Sequence, residues 1–202
     1  MKRVVMCAVV PLFMLVVGCA KAPADKVMAA EKAVDDARAA GAPKYAPEEF
    51  AKLESALNNA KNEVAEQDGK FGFLRDYEKA EQLLTVTQTD ATRVSSETVK
   101  KKDEAKAAAT QSQQAAQDAV KTAQTLVEKA PVGKDRAALE AIRADVEGLV
   151  TSLPDIQKTI DAEDYQAAQA KAKAVQQKAQ TVSTEIESAL TKVQKAKPTK
   201  KK

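Results

Sequence analysis

From Phe73 to Ala130 the chain contains neither glycine nor proline. These two residues cost the most in a helix interior. The same stretch is built from alanine, lysine, glutamate, glutamine and threonine, without an alternating β-branched or aromatic pattern. It predicts one long helix over about residues 74 to 129, about 80 Å long at about 1.5 Å per residue. Within it Val99 to Lys106 is nearly all charged, which a helix accommodates only as a solvated face or a frayed joint.

The remaining breakers divide the rest of the chain. A first helix over 24 to 40 is closed by Gly41 and Pro43, a helix-stop pair. Pro47 at a first helical position, with Glu48 and Glu49 at the positive end of the dipole, opens a second helix that stops at Asp68-Gly69. Lys70 to Phe73 reads as a loop before the long helix, and Asp135 as the cap of a fourth helix. Pro154 allows a kink or a restart, with Ser152 and Asp155 at capping-box spacing. A turn over Asp161 to Glu163 introduces a last helix, about 163 to 196.

That last helix carries a heptad seam. Tyr165, Ala172, Ala179, Ile186 and Val193 recur every seven residues, and Ala168, Val175, Val182, Ala189 and Ala196 follow three positions later. Tyr77, Ala80, Leu84, Ala91 and Val94 have the same phase. Asp76-Tyr77, Ala80, Gln88, Ala91, Val94, Ser95 and Glu97 match Asp164-Tyr165, Ala168, Gln176, Ala179, Val182, Ser183 and Glu185 at a constant offset of 88. Ala29-Ala30, Ala33-Val34 and Ala37 match Ala115-Ala116, Ala119-Val120 and Ala123 at 86, as Leu53-Glu54 matches Leu139-Glu140. The expected fold is therefore all-α: elongated antiparallel helical coils in two tandem three-helix units, 24–97 and 110–196, sharing one long helix through a charged connector at 98–109. Alanine at so many seam positions lets helices approach closely while each contact buries little area.

The plan resembles the spectrin repeat in architecture, without that family's tryptophans. The Asp-Tyr-x-x-Ala motif at a hairpin resembles an uncharacterised class of alanine-rich bacterial lipoproteins with helical repeats, a likeness that implies no activity.

The amino terminus points the same way. Lys2 and Arg3 precede an uncharged run from Val4 to Val17, then Gly18 and Cys19, the charged, apolar, small-residue order of an export signal. The run is shorter than the roughly 20 apolar residues of a spanning helix and contains Pro11. Val16-Val17-Gly18-Cys19 resembles the lipobox of bacterial lipoproteins. The resemblance implies cleavage of residues 1–18, a diacylglycerol on the Cys19 sulfur, an acylated new amino terminus, and a lipidated linker at 19–23. The only other cysteine, Cys7, leaves with the signal, so the mature chain forms no internal disulfide. Ala20-Lys21 after the cysteine, rather than aspartate, resembles lipoproteins sent to the outer membrane, facing the periplasm.

Removing Lys2 and Arg3 from the 32 basic residues leaves 30 beside 29 acidic ones, a balance that gives a nucleic acid no hold. There is no histidine, no tryptophan and no cysteine beyond the anchor, and no glycine-rich phosphate loop or nucleophile elbow. The acidic residues lie among lysines, glutamines and threonines on polar helix faces. The chain reads as a non-enzyme with no catalytic, cofactor-binding or metal site.

Two features remain for contact with a partner. Tyr45, Phe50, Phe71, Phe73 and Tyr77 gather in the first unit, with Phe71 and Phe73 beside glycines. They form either a hydrophobic plug on the hairpin end or an exposed docking site. The basic tail 197–202 ends in Lys200, Lys201 and Lys202. It is a solvated end or a contact for anionic polymers or headgroups. Lys202 also matches the terminal lysine of the murein lipoprotein, a resemblance that implies attachment to peptidoglycan. The function expected is a lipid-anchored structural rod or spacer of the envelope. The alternatives are a platform for another envelope protein and a peptidoglycan tether.

Overall fold

A computed structural model of the protein describes residues 21–130 and 136–195, and all of its regular structure there is helical. The signal segment, Cys19, Asp135, Ala196, Lys200, Lys201 and Lys202 lie outside the described residues, as does the side chain of Val193. The helices are α1 (Ala24–Ala39), α2 (Ala42–Tyr45), α3 (Pro47–Asp68), α4 (Glu78–Lys129), α5 (Arg136–Asp161) and α6 (Tyr165–Lys195), with a 3-10 turn at Gly72–Leu74. No helix of the described residues is long and apolar enough to cross a membrane. The chain divides into two compact units, residues 1–98 and 99–202.

In the first unit, α1 stops where Gly41 turns left-handed at φ 99°, a conformation that costs glycine nothing. Pro43 then lies in the first turn of α2, and Pro47 is the first residue of α3, where its missing N–H is one of the groups a helix leaves unbonded anyway. The interior is layered. One cluster joins Val34, Ala37, Ala42, Ala46, Phe50 and Leu53 to Ala91 and Val94 of α4. The next joins Ala30, Ala60 and Leu84, flanked by Val27, Leu57, Val64 and Leu83. Ion pairs between helices border these layers: Lys26–Glu81 at 2.6 Å, Lys61–Glu31 at 2.6 Å and Arg38–Glu54 at 2.9 Å.

The second unit packs the later part of α4 with α5 and α6. Its layers are Ala116, Ile156 and Ala172; then Val120, Leu149 and Ala179; then Ala123, Val127, Val146, Val182 and Ile186. Two alanines thus meet one large side chain in the layers Ala30–Ala60–Leu84 and Ala116–Ile156–Ala172. Alanines permit close helix approach, and one branched residue fills the remaining space.

Four local readings are resolved. The long helix starts at Glu78, not at 74, because residues 70–77 form a built turn described below. The charged stretch 98–109 is helical throughout, so of its two readings the solvated helix face holds and the frayed joint does not. Pro154 does not restart the chain: α5 runs through it, and the Ser152 hydroxyl donates to Gly148 O (2.7 Å) instead of capping a new helix. In α6, Ala189 is exposed and Leu190 turns inward to the cluster of Ile186. Here the apolar stripe follows the 3.6-residue turn rather than a strict heptad.

Matched positions of the outer helices share their burial. Ala30, Val34 and Ala37 are buried as are Ala116, Val120 and Ala123, and Tyr77, Ala80, Ala91 and Val94 are buried as are Tyr165, Ala168, Ala179 and Val182. The middle helices pair differently. Phe50, Leu53, Leu57, Ala60, Val64 and Gln67 fall in step with Leu139, Ile142, Val146, Leu149, Leu153 and Ile156, so Leu53 corresponds to Ile142 rather than to Leu139. In the Leu139 register, Phe50 would correspond to the exposed Arg136 and Leu57 to the exposed Arg143.

Candidate interaction site at the first hairpin

Two side chains expected to meet a partner stand out on the surface of the first unit. Phe71 is 76% exposed and Phe73 72% exposed, with Leu74 beside them at 57%. The two rings stack on each other, centroids 6.2 Å apart and planes 17° from parallel. The plug reading is therefore wrong for them. Tyr45 and Phe50 are buried at the start of α3, and Tyr77 at its far end, so the five aromatics do not form one cluster.

What holds Phe71 and Phe73 out is a polar scaffold beneath them. Gln67, 6% exposed, is its hub: its Nε2 donates to Glu63 Oε1 (2.9 Å), and its Oε1 accepts from Lys70 Nζ (3.0 Å) and from the backbone N–H of Asp76 (3.2 Å). Arg75 reaches back across the loop, donating to Lys70 O (3.0 Å) and Asp68 O (2.9 Å), which satisfies carbonyls left open at the end of α3. The Tyr77 hydroxyl donates to Asp68 Oδ1 (2.5 Å). Asp76 Oδ1 accepts from Glu78 N (3.0 Å) at the start of α4, and Leu74 N closes the 3-10 turn onto Phe71 O (2.8 Å). Lys79 Nζ lies 2.6 Å from Glu63 Oε2 and ties the two helices just below the turn.

The electrostatics follow from these contacts. The Lys79 ammonium, then the Gln67 amide, hold the Glu63 carboxyl below its ordinary range. Asp68, then burial, push the Tyr77 phenol up. The side chains tie down a loop. The depressions on both units are open grooves, such as the one between α1 and α3 lined by Glu31, Arg38, Glu54 and Leu57. Among the described residues no group of three acidic, histidine or cysteine side chains could hold a metal.

Gln67, Arg75, Glu63 and Lys79 were not singled out from sequence. One signal was available: along α3 the apolar stripe Phe50, Leu53, Leu57, Ala60, Val64 ends on Gln67, a polar residue at an inward position. No protein family, curated protein or solved structure matches the chain.

Proposed function

We propose that the protein is a lipid-anchored helical protein of the bacterial envelope, held by acyl chains on Cys19 at the periplasmic face of the outer membrane, and that it serves as a structural spacer. The anchor rests on the order Lys2-Arg3, uncharged run, Val16-Val17-Gly18-Cys19. The observation that carries the spacer is α4, one helix over 52 residues without a glycine or proline. Helices with few breakers and well-filled interiors resist bending, which a spacer needs and a substrate pocket does not.

Two measurements test the two halves. Mass spectrometry of protein extracted from membranes is expected to find a chain beginning at Cys19 with diacylglycerol on sulfur; a bare thiol or a different first residue overturns the anchor. In-cell crosslinking from exposed positions of α4 and α6 is expected to give no single stoichiometric protein partner. Such a partner would replace the spacer with a binding platform.

A further inference from the structure

We propose that the Phe71–Leu74 turn is a second membrane contact, inserted in the same leaflet that holds the lipid on Cys19. The proposal rests on the anchor reading above and adds where the folded part of the first unit meets the bilayer.

The argument begins with chain direction. α1 runs away from the amino terminus, α3 returns, and α4 starts again at the end where α1 began. The Lys26–Glu81 pair at 2.6 Å, and Val27 packed with Leu83 and Leu84, put the first turns of α1 and α4 side by side. The Phe71–Leu74 turn immediately precedes α4 and so lies at the same end of the first unit as Ala24, the first residue of α1. Ala24 is five residues from Cys19, and five residues span at most about 17 Å. A lipid on Cys19 therefore brings the bilayer surface within reach of this end of the unit.

That end also has the right chemistry. Two phenylalanines and a leucine are displayed together, an apolar tip that suits the boundary between headgroups and acyl chains, on a turn where Lys70 and Arg75 are balanced by Asp68 and Asp76. The equivalent hairpin of the second unit carries Ala162, Glu163 and Asp164 and displays no large apolar side chain. The difference is not one of length. α5 continues as helix to Asp161, whereas α3 stops at Asp68 and the residues after it form a turn, stapled by Arg75 and Gln67, that lifts Phe71 and Phe73 out. A turn held by that many polar contacts is rigid before it meets lipid, so little ordering is lost on insertion. With the anchor, it makes a two-point attachment that fixes the tilt of the first unit on the membrane.

The chain has no tryptophan, so Phe73→Trp introduces a sole reporter. The acylated full protein carrying it is reconstituted in vesicles of phosphatidylethanolamine and phosphatidylglycerol, with and without lipid brominated along its acyl chains. The expected result is a blue-shifted emission of which about half is lost to the brominated chains, as for a ring roughly 5–10 Å into the interface. Lys44→Trp, at the opposite end of the same unit, is expected to show neither shift nor loss. An unshifted, unquenched Phe73→Trp in protein whose mass shows an acylated Cys19 and whose circular dichroism is unchanged overturns the membrane contact alone. A bare Cys19 overturns the anchor and this contact together. A blue shift that grows with protein concentration in the absence of vesicles also overturns it, because a second copy then takes the turn.

Discussion

The two hairpins of this protein start from the same short motif and end differently. At Asp76-Tyr77 and at Asp164-Tyr165 the aspartate caps a helix start, accepting from Glu78 N (3.0 Å) and Ala167 N (3.2 Å), while the tyrosine is buried to 4% exposure in both. Beyond that shared base the chains diverge. Ile156 is apolar and fully packed, so α5 simply continues for another turn. Gln67, its counterpart, is buried but polar; it must be bonded, and the partners it takes are the loop's own Lys70 and Asp76. One inward residue thus separates a helix extension from a displayed turn. Cap and tyrosine specify where a hairpin returns, and the residue beneath specifies what it shows to the outside.

The same comparison extends to the cores, where the largest effects are expected. The layer Ala30–Ala60–Leu84 takes its one large side chain from the third helix of its unit, and Ala116–Ile156–Ala172 takes its own from the middle helix. The alanines of each layer have no atoms with which to refill a void, and the larger side chains that flank it relax only in part. Leu84→Ala and Ile156→Ala should therefore each cost about 2–5 kcal/mol by urea unfolding. If the units unfold independently, each variant will split the transition, shifting one part and leaving the other in place. A single shifted transition in both would show that the units are cooperative through α4.

Next in size is the hub. Gln67→Ile gives the first hairpin the residue of the second. It strands the Asp76 N–H and frees Lys70, and the cost should be about 1–3 kcal/mol despite the gain in apolar surface. Amide exchange over residues 70–77 should rise with it. Unchanged exchange would mean that Arg75 alone holds the turn. Acid probes the same place from another side. Because the folded Glu63 carboxyl lies below 4.5, its pair with Lys79 contributes stability that is fully present above that value and is lost as pH falls through the folded one. Glu163 with Lys102 behaves alike in the second unit. Glu63→Gln should flatten the acid limb of melting temperature against pH for the first unit and leave that of the second.

How much of this was legible beforehand depended on how local the cause was. Gly41 and Pro47 act on their own neighbours, and the helix ends they mark lie within a residue or two of the expected ones. The buried faces of α1 and α6 were legible for the same reason, since periodicity is a local property. The start of α4 was not, because Arg75 and Gln67 bond to groups on the other side of a loop, and no spacing rule announces such contacts. Pro154 did not restart the helix because a proline inside a helix costs only what its packing cannot recover, and Leu153 and Ile156 on either side of it are packed inward. The outward display of Phe71 and Phe73 was one of two open readings, decided by what lies under them rather than by the aromatic residues themselves.

A smaller effect of opposite sign is expected at Thr98. It is fully buried, and its hydroxyl has no hydrogen-bond partner, whereas the buried Thr87 donates to Leu83 O (2.8 Å). The matching residue of the second unit is Ile186. Thr98→Val keeps the shape and removes an unsatisfied polar atom, so it should stabilise the first unit by about 1 kcal/mol, while Thr87→Val should not. Equal effects at the two positions would mean that the Thr98 hydroxyl is satisfied in solution.

The smallest stability effect belongs to the most exposed residues, and its smallness is the point. If Phe71 and Phe73 only cover the hairpin end, replacing both by serine removes packing and lowers the melting temperature of the first unit. If they are displayed, as their 76% and 72% exposure requires, Phe71→Ser with Phe73→Ser should change stability by no more than about 0.5 kcal/mol. The stack between the two rings is forfeited, and it is solvent-exposed and local to the turn. A loss near the size of the Gln67→Ile effect would show that the rings fold back onto the unit in solution. They would then no longer be offered to anything outside it, and the distinction between the two hairpins would reduce to where α3 and α5 end.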